Sequence, residues 1–251
     1  MEIKVDSTKR KNTAVALFGD SISKGLFLQE GKICRIGRNA AVIVAERYGL
    51  RIDNFSAFGQ TLRKCREKRL FDTFLDNTGD FARKKAVIAL GGNDCDYDWK
   101  KVSEDPFGYH LPNTPLPLFE EMLGEVTEKF KSRGLLPVFT SLPPVSSQRY
   151  FDNVICKKAE REQILKFFAG DVTNIARHQE CYNAAILKCA AAYGCDFIDF
   201  RTEFLLKTDC ADYISDDGIH PNAKGHLLIA DIVSEYIDGK TAAGAGSFRF
   251  A

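Results

Sequence analysis

The chain has 251 residues, of which 45% are hydrophobic and 27% are charged. This length and balance are typical of a globular α/β domain with a sizeable core, and they exclude a chain that is mainly disordered. The 35 basic and 34 acidic side chains leave a formal net charge of +1, which excludes the strongly basic surface of proteins that bind nucleic acid or anionic membranes.

Short apolar runs alternate with amphipathic stretches along the chain. Buried strands are predicted at residues 13–18, 51–55, 86–90, 136–140 and 195–198. Helices are predicted at residues 38–48, 60–76, 116–132, 157–168, 173–193 and 221–236. Because no interior stretch resembles a linker, we expect a single domain over residues 1–251, with a core at about 13–238 and a flexible, Gly- and Ala-rich tail at 239–251.

Strands separated by helices predict a parallel sheet that is covered by helices on both faces. In such a sheet, functional groups collect beyond the carboxyl ends of the strands. Polar motifs that directly follow a predicted strand are therefore the first candidates for a functional site.

The first motif is Gly19-Asp20-Ser21, directly after the first predicted strand. A serine on the turn that leaves the sheet can present its hydroxyl to a crevice and its backbone N–H to an anion. The tripeptide alone is also consistent with a turn and a helix cap, and Ser23 is an alternative nucleophile inside the following turn.

Two further motifs follow the second and third strands. Gly59 allows its backbone N–H to approach a ligand closely, and Asn93, in Gly91-Gly92-Asn93-Asp94, carries a neutral amide donor. Both groups can stabilise the negative oxygen that develops during acyl transfer. Taken singly, both are also typical turn residues.

The fourth motif is Asp217-Gly-Ile-His220, just before the last predicted helix. Histidine is suited to accept a proton from a serine near neutral pH, and a carboxylate three residues upstream can hold the imidazole tautomer. A helix cap with a surface histidine is the alternative. Asp216 is a second candidate for the orienting carboxylate, and His226 is expected at the surface or in the core.

Together the four motifs supply a nucleophile, a base, an orienting carboxylate and donors for an oxyanion, which are the parts that acyl transfer requires. The predicted catalytic residues are Ser21, His220 and Asp217, and the predicted oxyanion donors are Ser21, Gly59 and Asn93.

The motifs resemble those of the SGNH (GDSL-like) hydrolases, in the family's order, over about residues 13–238. The matching residues are Ser21 in Gly-Asp-Ser-Ile, Gly59, Asn93 in Gly-Gly-Asn-Asp, and His220 in Asp-Gly-Ile-His-Pro. The resemblance implies a three-layer α/β/α, flavodoxin-like fold with a five-stranded parallel sheet in the order 2-1-3-4-5. It further implies a serine mechanism without a metal or cofactor, with Asp217 as the third member of the triad.

Two long segments are expected to shape the substrate site. Residues 95–118 follow Asn93, and residues 145–171 follow the fourth strand at the functional edge, where a long connection is typically a lid or rim. The candidate substrate-binding residues in these segments are Trp99, Tyr109, Arg149 and Tyr150.

No extended apolar surface segment suggests action at a lipid interface, so the first expected substrate is a small soluble ester such as an O-acetylated carbohydrate. A lysophospholipase or a thioesterase of the same fold is the alternative. From another class, the alternative is a catalytically inactive module that binds carbohydrate or nucleotide. A nucleotide site would need a phosphate-cradling loop after the first strand, where this chain places the acidic Asp20.

The eight cysteines form no C-x-x-C pair and no Cys/His cluster with zinc-ligand spacing, which predicts reduced thiols and no metal site. The first apolar run is too short for a secretion signal, and no run reaches membrane-spanning length. We therefore expect a cytoplasmic protein that acts on a small-molecule ester and does not insert stably into a membrane. No pattern specifies an oligomeric state.

Overall fold

The computed structural model describes residues 14–77 and 84–242, in which five parallel strands form one sheet. The strands of this sheet are β1 (Ala14–Gly19), β4 (Arg51–Asn54), β5 (Lys84–Ala89), β6 (Val138–Thr140) and β7 (Asp196–Ile198). Their order is β4-β1-β5-β6-β7, with every neighbouring pair parallel. Counted among these strands alone, this is the order 2-1-3-4-5, so the predicted fold is confirmed.

A hairpin that the sequence analysis did not predict follows β1. Its strands, β2 (Leu26–Gln29) and β3 (Lys32–Arg35), pair antiparallel. The turn between them consists of Glu30 and Gly31, both with positive φ. Glu-Gly is not among the Asn-Gly and Asp-Gly pairs that normally indicate a two-residue hairpin, so the sequence carried no strong signal for it.

Helices cover both faces of the sheet, as predicted. They are α1 (Ala40–Tyr48), α2 (Leu62–Glu67), α3 (Leu70–Asp76), α4 (Trp99–Glu104), α5 (Leu116–Lys131), α6 (Ser147–Asn153), α7 (Arg161–Phe167), α8 (Asn174–Tyr193), α9 (Phe200–Leu205) and α10 (Ala223–Ala242). Short 3₁₀ turns lie at Ile155–Lys157 and Cys210–Tyr213.

The helices depart from the prediction in several places. The helix predicted at 60–76 is two helices, because Arg69 adopts a left-handed conformation with φ 53° between them. The short helices α4, α6 and α9 were not predicted, since six or seven residues are too few to show a clear helical period. The last helix continues to Ala242, four residues into the predicted tail, and residues 243–251 lie outside the described residues.

The two faces of the central strands differ in how they are covered. On one face, alternate residues such as Ala16, Phe18 and Ile88 are fully buried against α2, α3, α5 and α8. Phe18 stacks on Phe55, with ring centroids 4.9 Å apart, at the centre of this core. On the other face lie α1 and α10, which contact each other. Among the described residues, no helix combines the length and the apolar character needed to cross a membrane.

Candidate active site

Ser21 lies directly beyond the end of β1, on a turn that is closed by backbone hydrogen bonds. The N–H groups of Lys24 and Leu26 donate to the Ser21 carbonyl at 3.1 and 2.8 Å. Gly19 permits this turn, because a Cβ atom there would lie 2.1 Å from Ser23 Oγ. The Ser21 side chain is thereby directed to His220, whose Nε2 lies 2.7 Å from Ser21 Oγ.

His220 is held from its other side by Asp217. Its Nδ1 lies 2.7 Å from Asp217 Oδ2, and its backbone N–H donates to Asp217 Oδ1 at 3.0 Å. Burial by itself would raise the pKa of Asp217, but the hydrogen bonds that it accepts from the ring and the backbone of His220 outweigh burial and hold the pKa below its usual value. With Nδ1–H donating to a carboxylate, Nε2 is left as the acceptor that faces Ser21.

The other candidate residues for the triad lie elsewhere. Asp216 is exposed, and its carbonyl accepts a hydrogen bond from Asn153 Nδ2 at 2.6 Å. His226 is buried, and its Nδ1 accepts the N–H of Ala40 at 3.3 Å. Burial and the neighbouring His220 lower the pKa of His226 to about 4, so this side chain is neutral near pH 7. Among these candidates, only Asp217 contacts the His220 ring.

The predicted oxyanion donors lie on three loops at the same edge of the sheet. Among the described residues, no acceptor pairs with the N–H of Ser21 or of Gly59, so both amides are free to bind a ligand. The Gly59 loop, where φ is 63°, is tied to β1 because Gln60 Nε2 donates to the Gly19 carbonyl at 2.7 Å. Asn93 Nδ2 donates to Asp20 Oδ2 at 3.1 Å, which places this amide beside the residue that precedes Ser21.

Two buried carboxyl groups hold these loops together. Asp20 accepts the N–H of Ile22 at 2.9 Å as well as the Asn93 amide. Asp94 is fully buried and accepts the N–H of Leu62 and the hydroxyl of Thr114 at 3.0 and 2.6 Å. Burial raises the pKa of each carboxyl to about 6, against the opposing effect of these hydrogen bonds. The Asn93 loop is therefore fixed to both β1 and the start of α2.

A cavity of about 480 Å³ includes the triad serine and histidine in its wall. Two of the predicted substrate-binding residues, Trp99 and Tyr150, line the same cavity. Both donate to Asp96, from Trp99 Nε1 at 2.8 Å and from the Tyr150 hydroxyl at 2.9 Å. Asp96 was not predicted, although it is only three residues after Asn93, because its partners come from separate helices.

The other two candidate substrate-binding residues lie away from the cavity wall. Tyr109 is 89% exposed on the loop after α4. Arg149 donates from Nη1 to the carbonyls of Ala211 and Ile214, at 2.7 and 3.1 Å. These carbonyls belong to the segment that precedes the loop with Asp217 and His220. Arg149 therefore stabilises that segment in this structure.

The segment 145–171 contacts the loop between Asp217 and His220 at a second point. Gly218 has φ 80°, and a Cβ atom there would lie only 2.4 Å from the backbone nitrogen of Tyr150. The Gly218 carbonyl accepts the N–H of Ser146 at 2.8 Å. The chain between Asp217 and His220 therefore rests directly on the start of α6. The sequence signal that could have indicated this close approach is the glycine itself.

Residues 17–228 match the GDSL-like Lipase/Acylhydrolase family, which confirms the resemblance found in the sequence. No curated protein sequence matches the chain.

Three solved structures illustrate the likeness in fold. The lipase/acylhydrolase from Enterococcus faecalis is 16% identical, with a TM-score of 0.63, over 91% of this chain and 96% of that chain. A member of the lipolytic protein G-D-S-L family from Veillonella parvula is 15% identical, with a TM-score of 0.62, over 90% and 98%. The psychrotrophic esterase EstA from Pseudoalteromonas sp. is 14% identical, with a TM-score of 0.56, over 92% and 100%. At these identities the likeness shows a common fold.

Proposed function

The chain belongs to the GDSL-like lipase/acylhydrolase family and is a carboxylic ester hydrolase, in which we propose that Ser21 is the nucleophile, His220 the general base and Asp217 the carboxylate that orients it. The observation that carries this proposal is the 2.7 Å distance between Ser21 Oγ and His220 Nε2, continued by 2.7 Å from His220 Nδ1 to Asp217.

In the first half of the reaction, Ser21 Oγ attacks the ester carbonyl while its proton passes to His220 Nε2. The tetrahedral intermediate then collapses, the bond from carbon to the alcohol oxygen breaks, and His220 returns the proton to the leaving alcohol. In the second half, His220 takes a proton from water, which attacks the acyl-enzyme. Collapse of the second intermediate releases the carboxylic acid and restores the Ser21 hydroxyl.

The negative oxygen of each intermediate is bound by the backbone N–H groups of Ser21 and Gly59 and by the amide of Asn93. The free N–H groups of Ser21 and Gly59 support this assignment. One N–H of the Asn93 amide is held by Asp20, which leaves the second N–H for the substrate. A donor of this kind typically lowers the barrier by about 3 kcal/mol.

The proposed alcohol is small, soluble and hydroxylated, with a carbohydrate as the first example. The cavity wall beside the triad combines two aromatic side chains with a carboxylate, in Trp99, Tyr150 and Asp96. Aromatic faces and a hydrogen-bonding carboxylate suit the faces and hydroxyls of a sugar. A lysophospholipid or a thioester is the alternative substrate.

The test is hydrolysis of p-nitrophenyl acetate by the wild-type protein, Ser21→Ala and Ser23→Ala. We expect activity to vanish in Ser21→Ala and to persist in Ser23→Ala, because only Ser21 contacts His220. An alkylphosphonate probe, located by mass spectrometry, is expected to label Ser21. Activity that survives in Ser21→Ala would assign the nucleophile elsewhere. A wild-type protein that turns over no ester but binds sugars would support the inactive carbohydrate-binding alternative.

A second measurement tests whether the alcohol part of the substrate is a carbohydrate. It compares acetate release from acetylated oligosaccharides with acetate release from p-nitrophenyl acetate. We expect Trp99→Ala to raise KM for the oligosaccharide more than for the aryl ester. Equal effects on both substrates would argue against a sugar at this wall.

A further inference from the structure

One face of the two central strands is incompletely covered, although both strands lie inside the sheet. Val15 and Leu17 on β1 and Val87 on β5 are partly accessible, whereas the alternate residues Ala16 and Ile88 are each 1% exposed. Central strands of a parallel sheet are normally buried on both faces. A gap therefore separates this face from α1 and α10.

The gap is continuous with the cavity at the triad. The same cavity that includes Ser21 and His220 in its wall also includes Val15, Val87, Val233 and Tyr236. Its walls are formed by β1 and β5 on one side and by α1 and α10 on the other, and they are mainly aliphatic. A space of this character does not suit a sugar or an ion, because polar groups placed there would lose their hydrogen bonds to water.

Small side chains lie where the gap meets the triad. Ala40 and Ala41 begin α1, and Ala89 ends β5, and all three line the cavity. Ala40 is held next to α10 through its hydrogen bond to His226. Methyl side chains at this point leave a passage that larger residues would close.

The dimensions suit an extended hydrocarbon chain. Strand residues advance about 3.3 Å each, so Val15 lies on the order of 15–20 Å from Ser21 along β1. With carbon–carbon bonds of about 1.5 Å, an extended chain advances about 1.3 Å per carbon, so roughly a dozen carbons would fill this length.

We propose that the gap between the sheet and the α1–α10 pair is an internal channel that binds the acyl chain of the substrate, with the ester carbonyl at Ser21. This inference rests on the proposed function and specifies its acyl side: the preferred acyl group is a medium or long fatty acid rather than the acetyl group expected from the sequence. The polar alcohol lies outside the channel, at the Trp99 and Tyr150 wall.

The first experiment is a chain-length series of p-nitrophenyl esters from acetyl to tetradecanoyl, below their aggregation limits. Each methylene that enters an apolar channel is expected to raise kcat/KM by up to about fourfold, with the rise continuing past eight carbons. A profile that peaks at acetyl or butanoyl overturns the channel but leaves the esterase intact. Absence of activity on every ester overturns the proposed function itself, so the two failures are distinguishable.

Two variants measure depth within the channel. Val44 lies about 6 Å along α1 from Ala40, and Val233 lies about 15 Å along α10 from Ala223, at a rise of 1.5 Å per residue. Val44→Phe is expected to lower kcat/KM for the decanoyl ester about 10-fold or more relative to the butanoyl ester. Val233→Phe is expected to act only on chains of roughly twelve carbons or longer.

The matched controls are Val42→Phe on α1 and Ile232→Phe on α10, because neither side chain lines the cavity. We expect the controls to keep the wild-type ratio of decanoyl to butanoyl activity. Identical profiles in Val44→Phe, Val233→Phe and the wild-type protein would overturn the channel.

A binding measurement does not depend on those variants folding. Decanoate is expected to raise the Tm of the wild-type protein, while acetate at the same concentration does not, because only decanoate has a chain to bury. No difference between the two anions would count against the channel, whatever the variants show.

Discussion

The backbone N–H of Leu28 donates a 2.7 Å hydrogen bond to Asp217 Oδ2, the same oxygen atom that lies 2.7 Å from His220 Nδ1. Leu28 belongs to the β2–β3 hairpin, which is 189 residues away from Asp217 in sequence. The carboxylate is thus held between the histidine that it would orient and a hairpin that the sequence did not reveal. The hairpin is therefore part of the support of the proposed triad.

Removing the Leu28 N–H is expected to lower kcat. In Leu28→Pro the donor is lost, so Asp217 keeps one fewer partner and its orientation is less strictly fixed; we expect kcat to fall about 10-fold. Leu28→Ala is the control, because it keeps the N–H while removing the side chain. Equal losses of kcat in the two variants would show that packing of Leu28, and not its hydrogen bond, supports activity.

The two adjacent aspartates should respond very differently to the same substitution. Asp217→Asn is expected to reduce kcat by on the order of 10⁴-fold, because an amide favours the wrong histidine tautomer. Asp216→Asn is expected to stay near wild type, since Asp216 is exposed and only its backbone carbonyl bonds to Asn153. Steady-state kinetics on p-nitrophenyl esters make the comparison. A large loss in Asp216→Asn would reverse the assignment.

Asn93→Ala removes the side-chain amide and is expected to lower kcat roughly 100-fold or more, because a donor to the developing oxyanion would be missing. Asn77→Ala, at the exposed end of α3, serves as a control for removal of an asparagine amide. Unchanged kcat in Asn93→Ala would remove this residue from the oxyanion site.

The buried carboxyl of Asp94 predicts a specific pH dependence of stability. Its pKa is raised from 3.8 to about 6 in the folded chain. Between about pH 4 and pH 6 the folded state therefore keeps a proton that the unfolded chain releases, so the free energy of unfolding falls as pH rises through this window and levels off above it. Below pH 4 the contribution is fully present.

Asp94→Asn cannot titrate, so its free energy of unfolding should fall less across this window, by up to about 3 kcal/mol. Urea unfolding at pH 4, 5, 6 and 7 gives the measurement, with the exposed Glu121→Gln as control. Part of the pH dependence of stability remains in Asp94→Asn, because Asp20 and Asp96 still titrate there with pKa values raised to about 6. An identical pH dependence in Asp94→Asn and the wild-type protein would contradict the prediction.

Alanine substitutions at two glycines with similar φ angles compare the stability cost of left-handed backbone strain alone with the cost of strain plus a close backbone contact. Gly134 and Gly218 have φ of 75° and 80°, but only at Gly218 would a Cβ atom meet backbone, 2.4 Å from the nitrogen of Tyr150. Gly134→Ala is expected to cost about 1–2 kcal/mol of stability, from left-handed strain alone. Gly218→Ala is expected to cost roughly 3 kcal/mol or more, and also to lower activity, because it displaces the loop between Asp217 and His220. Similar melting temperatures for the two variants would contradict the close contact.

Several features of this protein were determined by the sequence alone. The strands around Ala86 and Ala14, the parallel sheet and its strand order, and the family were all correctly predicted. The strands and the parallel sheet follow from apolar periodicity, whereas the strand order follows from the family resemblance that the short motifs carry. The placement of the Ser21, Gly59 and Asn93 motifs after successive strands also predicted that they lie at one edge, because carboxyl ends of parallel strands share that edge. The catalytic roles of these residues stay predictions.

The tertiary structure decided what depends on distances between elements. It tied Leu28 to Asp217, placed Asp96 between Trp99 and Tyr150, and turned Arg149 toward backbone carbonyls instead of the cavity. It also left the gap between the central strands and the α1–α10 pair, which no local pattern could reveal. The same aliphatic residues would fill a closed core or line a channel, and the separation between helix and sheet, set by contacts far apart in sequence, decides between the two.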